Sequence, residues 1–138
     1  MERTLAIIKP DGVSARLIGE IIRRIESENL QIVAMRLHRL DEKEVDGFYY
    51  IHRQKQFFTS LKKFMTSGPV VLLVLQGADV IQRWRHLMGV TNPRHADQGS
   101  IRGDMGTDIE KNVVHGSDSA DNAVYEINFF FNGLQFFD

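Results

Sequence analysis

Apolar positions recur along the chain in two rhythms, and the rhythms assign the elements. Thr4 to Ile8 is a β-branched, apolar run halted by the turn signature Pro10-Asp11-Gly12, which predicts a first strand. Ile18, Ile21, Ile22 and Ile25 fall at i, i+3, i+4 and i+7, one face of a helix that Asn29 can end. From Leu30 to Leu40 the period drops to two. Val33, Met35 and Leu37 alternate with Ile32, Ala34, Arg36 and His38, which predicts a strand with one mostly apolar face. Asp41 and Glu44 are spaced as a capping box for a short helix carrying Val45, Phe48, Tyr49 and His52 on one side.

Phe57, Phe58, Leu61, Phe64 and Met65 form a further helical stripe, closed by Ser67-Gly68-Pro69. Val70 to Leu75, the longest apolar run, reads as a strand buried on both faces. Val80, Ile81, Trp84, Leu87 and Met88 mark the next amphipathic helix. Periodicity then disappears from Gly89 to about Lys111, a stretch long enough to suggest a functional loop. Asn112 to His115 predicts a short strand, and Ser119 an N-cap for a last helix with Ala123, Val124, Ile127 and Phe130. The order β-α-β-α-α-β-α-loop-β-α predicts an α/β sandwich with helices on a single sheet. Hydrophobic pattern alone does not choose its topology.

Composition adds constraints. The 138 residues suit one domain, residues 1–138, and 43% hydrophobic with 25% charged residues is an ordinary globular balance. With 17 basic and 18 acidic side chains, the whole molecule has no field that would steer it to a polyanion or an acidic membrane. Cysteine is absent, which excludes disulfides and thiolate metal sites and fits a cytoplasmic location. The apolar run near the N-terminus is too short for a signal peptide or a bilayer span.

The densest polar cluster is Asn112-Val113-Val114-His115-Gly116-Ser117-Asp118, followed by the helix that holds Glu126. A nucleophilic histidine needs a neutral ring, one nitrogen free for attack and the other held by an acceptor that fixes the tautomer. Gly116 leaves one side of the ring free of Cβ bulk. Glu126, about two turns into the helix, is placed to fold back beneath His115, with Ser117 as a bridge. Taken singly, His115 would more often be an exposed or structural residue, and Arg85, Arg102, Tyr49 and Phe57 would be surface charges or core. The pattern G-x-x-x-x-G-K-[ST] is absent, so any phosphate site must be built from side chains.

The cluster resembles N-x-x-H-G-S-D, the active-site signature of the nucleoside diphosphate kinases. Thr4-Leu5-Ala6-Ile7-Ile8-Lys9-Pro10-Asp11-Gly12-Val13 is similar to that family's opening strand and turn. Phe64-Met65-Thr66-Ser67-Gly68-Pro69-Val70-Val71, Thr91-Asn92-Pro93 and Ser100-Ile101-Arg102-Gly103-Asp104 resemble further family blocks, in family order and spacing. The resemblance implies a ferredoxin-like sandwich, a four-stranded antiparallel sheet with helices packed on one face. It implies that His115 is phosphorylated on Nδ1, oriented by Glu126 with help from Ser117. Arg85, Thr91 and Arg102 would contact the β- and γ-phosphates, Lys9 and Asn112 the ribose 3′-hydroxyl, with Lys9 and Tyr49 also near the transferring phosphate. Phe57 would stack on the base, with Ile109 on its other face. ATP, other NTPs and NDPs are the implied substrates, Mg²⁺ the implied metal, arriving on the nucleotide phosphates, and a tetramer or hexamer built from dimers the implied assembly. Gln56 departs from the family's usual proline before the Phe pair.

Two other classes compete. An RNA-binding sandwich would carry a K/R-G-F/Y-G/A-F-V-x-F/Y strand, which is absent. A regulatory protein that kept only the fold would be expected to lack His115, Lys9 or Arg102, and all three are present.

Overall fold

A computed structural model describes residues 1–137. Its frame is a four-stranded sheet in the order β2-β3-β1-β4. β1 (Glu2–Ile8) lies at the centre, antiparallel to β3 (Val70–Gly77) and to the short edge strand β4 (Val114–Gly116). β2 (Gln31–His38) pairs antiparallel with β3 and forms the other edge. This is the expected ferredoxin-like antiparallel sheet.

The helices do not keep to one face. α2 (Ile18–Ser27) and α5 (Val80–Met88) bury Ile21, Ile25, Val80, Trp84 and Met88 against Ala6, Ile8, Leu73 and Leu75. The opposite face, with Leu5, Ile7, Leu72 and Val74, is covered by α3 (Glu42–Phe48), α4 (Phe58–Met65) and α7 (Ala120–Phe130). Successive strand side chains point to opposite faces, so a strand apolar at every position needs cover on both. β1 and β3 are such strands. Each fully buried leucine or isoleucine here contributes about 1.5–3 kcal/mol over its exposed state.

β2 departs from the expected alternation. Its register slips between Ile32 and Ala34, a bulge that turns Val33 and Ala34 to the same core. Beyond the bulge Met35 and Leu37 fall on the outside, 56% and 63% exposed. The capping box at Asp41 and Glu44 is present, each side chain bonded to the other's backbone N–H. The segment after α5 is more ordered than its lack of periodicity suggested. It holds a 3₁₀ turn at Pro93–His95 and a five-residue helix α6 (Ile101–Met105) capped by Ser100. Ser119 caps α7 through the Asn122 N–H. The remaining short helix, α1 (Pro10–Ser14), starts with Pro10 in its first turn, where a missing N–H costs nothing.

Candidate active site

His115 sits in β4 opposite Ile7 of β1. Its ring Nε2 lies 2.9 Å from Glu126 Oε1, on the second turn of α7. A carboxylate can only accept, so Nε2 carries the hydrogen and Nδ1 holds the lone pair. Nδ1 has no hydrogen-bond partner among the described residues. The ring is 19% exposed and Glu126 14%. The same Glu126 oxygen accepts from Ser117 Oγ at 2.8 Å, and Ser117 Oγ accepts the Leu5 N–H at 3.3 Å, so strand β1 steadies the carboxylate through the serine. The imidazole is wedged edge-on between Phe48, at 5.4 Å between centroids, and Tyr49, at 6.1 Å. Burial, and then the charge of Glu126, push the Tyr49 hydroxyl well above its ordinary pKa, so it stays protonated. A cleft of about 270 Å³, lined in part by Tyr49, His52, His115, Asp118 and Glu126, opens beside the ring.

Gly116 has a different task from the one its neighbour suggested. A Cβ there would lie 2.6 Å from Trp84 Cδ1 and 2.8 Å from Met88 Cε. The missing side chain admits the buried indole, whose Nε1–H donates to the His115 carbonyl at 3.1 Å. Gly116→Ala is therefore expected to lose about 2 kcal/mol of stability by overpacking, read as a lower midpoint in urea with an unchanged m-value.

Lys9, the residue between β1 and α1, is buried. Its ammonium donates to the Glu110 carbonyl at 2.6 Å and to Asn112 Oδ1 at 2.8 Å, and lies 5.4 Å from the Phe64 ring centroid. Burial lowers its pKa to about 8, opposed by Asp11. The Asn112 amide donates to the Thr91 and Ile109 carbonyls, joining two ends of the long loop. Arg102, on α6, is also buried, and its guanidinium reaches three carbonyls: Asn112 at 3.3 Å, Gly89 at 3.1 Å and Val114 at 2.7 Å. Desolvation and then Arg85 lower it to about 10, which leaves it cationic at neutral pH. Arg85 on α5 donates to Asp118 Oδ1 at 2.6 Å. Phe57 stands 48% exposed and Ile109 66% exposed. Phe57 joins the histidine side through His52, whose ring lies 5.7 Å from Phe57 and 6.4 Å from Tyr49.

The expected residues thus form one linked neighbourhood. Thr91 and Ile109 join it through backbone carbonyls. Sequence reasoning passed over Phe48, Trp84, His52 and Asp11. Phe48 and Trp84 look like ordinary core in an apolar stripe, His52 matches no ligand spacing, and Asp11 sits inside a turn signature.

Beyond burial, Arg102 lowers the pKa of Lys9 and Arg85 lowers that of Arg102, so three cations follow one another towards an imidazole nitrogen left free, an arrangement suited to phosphorylated ligands. A family model described as Nucleoside diphosphate kinase matches residues 2–136. The chain belongs to that family, and it is a phosphotransferase with nucleoside diphosphate kinase function. A nucleoside diphosphate kinase of Desulforapulum autotrophicum is 53% identical over 135 residues, covering 98% of each chain. Another from Anaeromyxobacter sp. (strain K) is 56% identical over 135 residues, 98% of this chain and 92% of that one. The solved structure of the Aquifex aeolicus enzyme superposes with a TM-score of 0.96 at 44% identity, covering 99% of both chains. A halophilic nucleoside diphosphate kinase from Halobacterium salinarum, in complex with CDP, gives 0.96 at 42% identity, covering 99% of this chain and 91% of that one.

Proposed function

We propose that this chain transfers the γ-phosphoryl group of an NTP to an NDP in two half-reactions through a phosphohistidine on His115. The observation that carries the reading is the division of labour on one ring, Nε2 committed to Glu126 and Nδ1 without a partner. In the first half-reaction the Nδ1 lone pair bonds the γ-phosphorus as its bond to the bridging oxygen breaks, and the NDP leaves with that oxygen. A second NDP then takes the phosphoryl group by the reverse step. Glu126 and Ser117 hold the ring and steady the positive charge that forms on it. Phosphoryl transfer passes through a loose transition state with charge on the equatorial oxygens, so donors and cations are what it needs.

Lys9, Arg85, Thr91 and Arg102 are the phosphate-binding side chains of this reading. Arg85 must exchange Asp118 for phosphate. Asn112, with Lys9, takes the ribose 3′-hydroxyl, and Tyr49 offers its hydroxyl near the transferring group. Phe57 and Ile109 sandwich the base. Stacking is blind to base identity, because every base has a π-face, so the enzyme accepts purines and pyrimidines alike. The CDP bound by the Halobacterium salinarum relative supports a nucleotide in this cleft.

Among the described residues no group of three or more His, Asp or Glu side chains is arranged to hold a metal ion. In this reading the Mg²⁺ arrives on the polyphosphate it would neutralise. A homo-oligomer is supported by the edge strand β2 with Met35 and Leu37 exposed on it. Among the described residues no helix is long and apolar enough to cross a membrane, and a cytoplasmic setting is part of the proposal.

The reading is tested by incubating the protein with ATP and measuring intact mass. The expected result is one added phosphate per chain, lost in acid and kept in base, and discharged by any NDP. A chain that exchanges phosphate between nucleotides without ever carrying it would refute the two-step route.

A further inference from the structure

The three candidate phosphate cations are held in two different ways. Lys9 and Arg102 are buried, 7% and 9% exposed. Lys9 donates to the Glu110 carbonyl and the Asn112 side-chain oxygen, and Arg102 to the carbonyls of Asn112, Gly89 and Val114. Those acceptors are all neutral, so they fix the two cations without cancelling their charge. Swinging either cation away would leave buried carbonyls without a donor, which is costly. Both are permanent parts of the site.

Arg85 is held differently. Its guanidinium Nη1 donates to Asp118 Oδ1 at 2.6 Å, a charge-assisted contact with an anionic partner. The two side chains are 42% and 73% exposed, so water can take the place of either partner and the pair opens cheaply. Asp118 follows His115 by three positions, just beyond the end of β4, and lines the same cleft as the His115 ring. Its charge reaches Arg102 as well. Burial and then Arg85 lower the pKa of Arg102, and Asp118 opposes them. A carboxylate presents paired oxygens to a guanidinium fork much as a phosphoryl group does. Of the acceptors that hold these three cations, Asp118 is the one that resembles the expected ligand.

We propose that Asp118 is a stand-in for phosphate. In the empty site its carboxylate occupies Arg85, and each nucleotide that binds must take that arginine from it, so Asp118 lowers nucleotide affinity and hastens nucleotide release. The inference rests on Arg85 acting as a phosphate-binding side chain, as under the proposed function. It matters most for a two-step exchange, in which one nucleotide must leave before the next can enter. A product clasped by three unopposed cations would leave slowly, and release would then limit turnover. Two cations give the site its lasting positive charge, while the third changes partner with every nucleotide.

Asp118→Asn tests this, being nearly isosteric and neutral. ADP is titrated calorimetrically with no divalent cation present, so that no metal bridges carboxylate and phosphate. Affinity should rise about two- to fivefold, the range for removal of one exposed ion pair that competes with the ligand. The gain should lie in slower dissociation, read by stopped-flow displacement of a fluorescent ADP analogue. Asp118→Ala, which offers Arg85 no acceptor, should gain at least as much and stands in for the asparagine variant if that one misfolds. Arg85→Ala separates a stand-in from diffuse repulsion of anions by Asp118. A stand-in acts through the arginine alone, so in the Arg85→Ala background Asp118→Asn should leave ADP affinity unchanged. A gain that persists there overturns the proposal. If Arg85→Ala weakens ADP binding while Asp118→Asn binds no more tightly than the parent, the inference fails and the phosphate role of Arg85 stands. If Arg85→Ala binds ADP as tightly as the parent, Arg85 meets no phosphate, and that part of the proposed function falls together with the inference.

Discussion

His115→Ala should take up no acid-labile phosphate from ATP and should lose NTP–NDP exchange by at least ~10⁴-fold. The size follows from what the ring supplies, an imidazole Nδ1 left uncommitted while Nε2 is held by Glu126. Glu126 and Ser117 would remain in place with nothing to orient. Under the proposed function Lys9, Arg85 and Arg102 are left to hold the phosphates, so affinity for ADP should change little while turnover collapses. The alanine variant should also fold, since among the described residues the ring makes edge contacts with Phe48 and Tyr49 and one hydrogen bond. An equilibrium binding measurement beside the exchange assay separates these effects. Labelling of the variant to the parent's level would remove the phosphohistidine from the mechanism.

The second large effect is expected from Arg102→Ala, and it should appear in stability as well as rate. Three donors of a buried guanidinium end on carbonyls that open and close the long loop and flank Val113, whose φ is positive. Hydrogen bonds from a charged group contribute about 1.5–3 kcal/mol each, and deletion strands the carbonyls. A net loss of about 3 kcal/mol is a fair expectation once overlap among the three is allowed for. For a chain of this size that corresponds to roughly 10 °C in Tm. Arg102→Lys should rescue little of it, since an ammonium cannot reproduce a planar fork aimed at three acceptors. Calorimetry of the three proteins decides the point, and a melting temperature within 2–3 °C of the parent for the alanine variant would contradict it.

Where an element repeats long enough to show its period, the chain displays it plainly. The isoleucine stripe of α2, the unbroken run of β3 and the caps at Asp41 and Ser119 are all legible, because each is written by neighbours close in sequence. Two-sided cover of the sheet was implicit in the β3 run, yet the ferredoxin-like expectation set it aside. β2 misleads for a physical reason. A bulge adds one residue without a marker, and every later side chain changes face, which is how Met35 and Leu37 come to lie outside. β4 begins at Val114, two residues later than expected, because Asn112 and Val113 are spent in a turn, and no propensity announces a valine with positive φ. α6 is too short for a stripe, though Ser100 was its visible cap.

The candidate site divides in the same way. The residues expected to meet a ligand came as a set from the block pattern. The structure links His115, Glu126, Ser117, Lys9, Asn112, Arg85 and Arg102 by side-chain contacts, while Thr91 and Ile109 join through backbone carbonyls. Residues that act through packing or the backbone did not show in that pattern. Trp84 holds a carbonyl, Phe48 holds the face of a ring and Asp11 holds an amide more than a hundred positions away. Such partnerships exist only once the sheet has formed, and a one-dimensional pattern cannot carry them.

Among the described residues β4 is the last strand, and the strand it pairs with is the first. His115 and Glu126 are near in sequence and need only the local strand-to-helix corner to meet. Lys9 meets Asn112 only when opposite ends of the polypeptide zip together. During synthesis on a ribosome, the growing chain would hold its basic pocket half built until the final strand emerges. A product that stops before β4 would lack the Lys9–Asn112 contact and, under the proposed function, the centre that transfers phosphate.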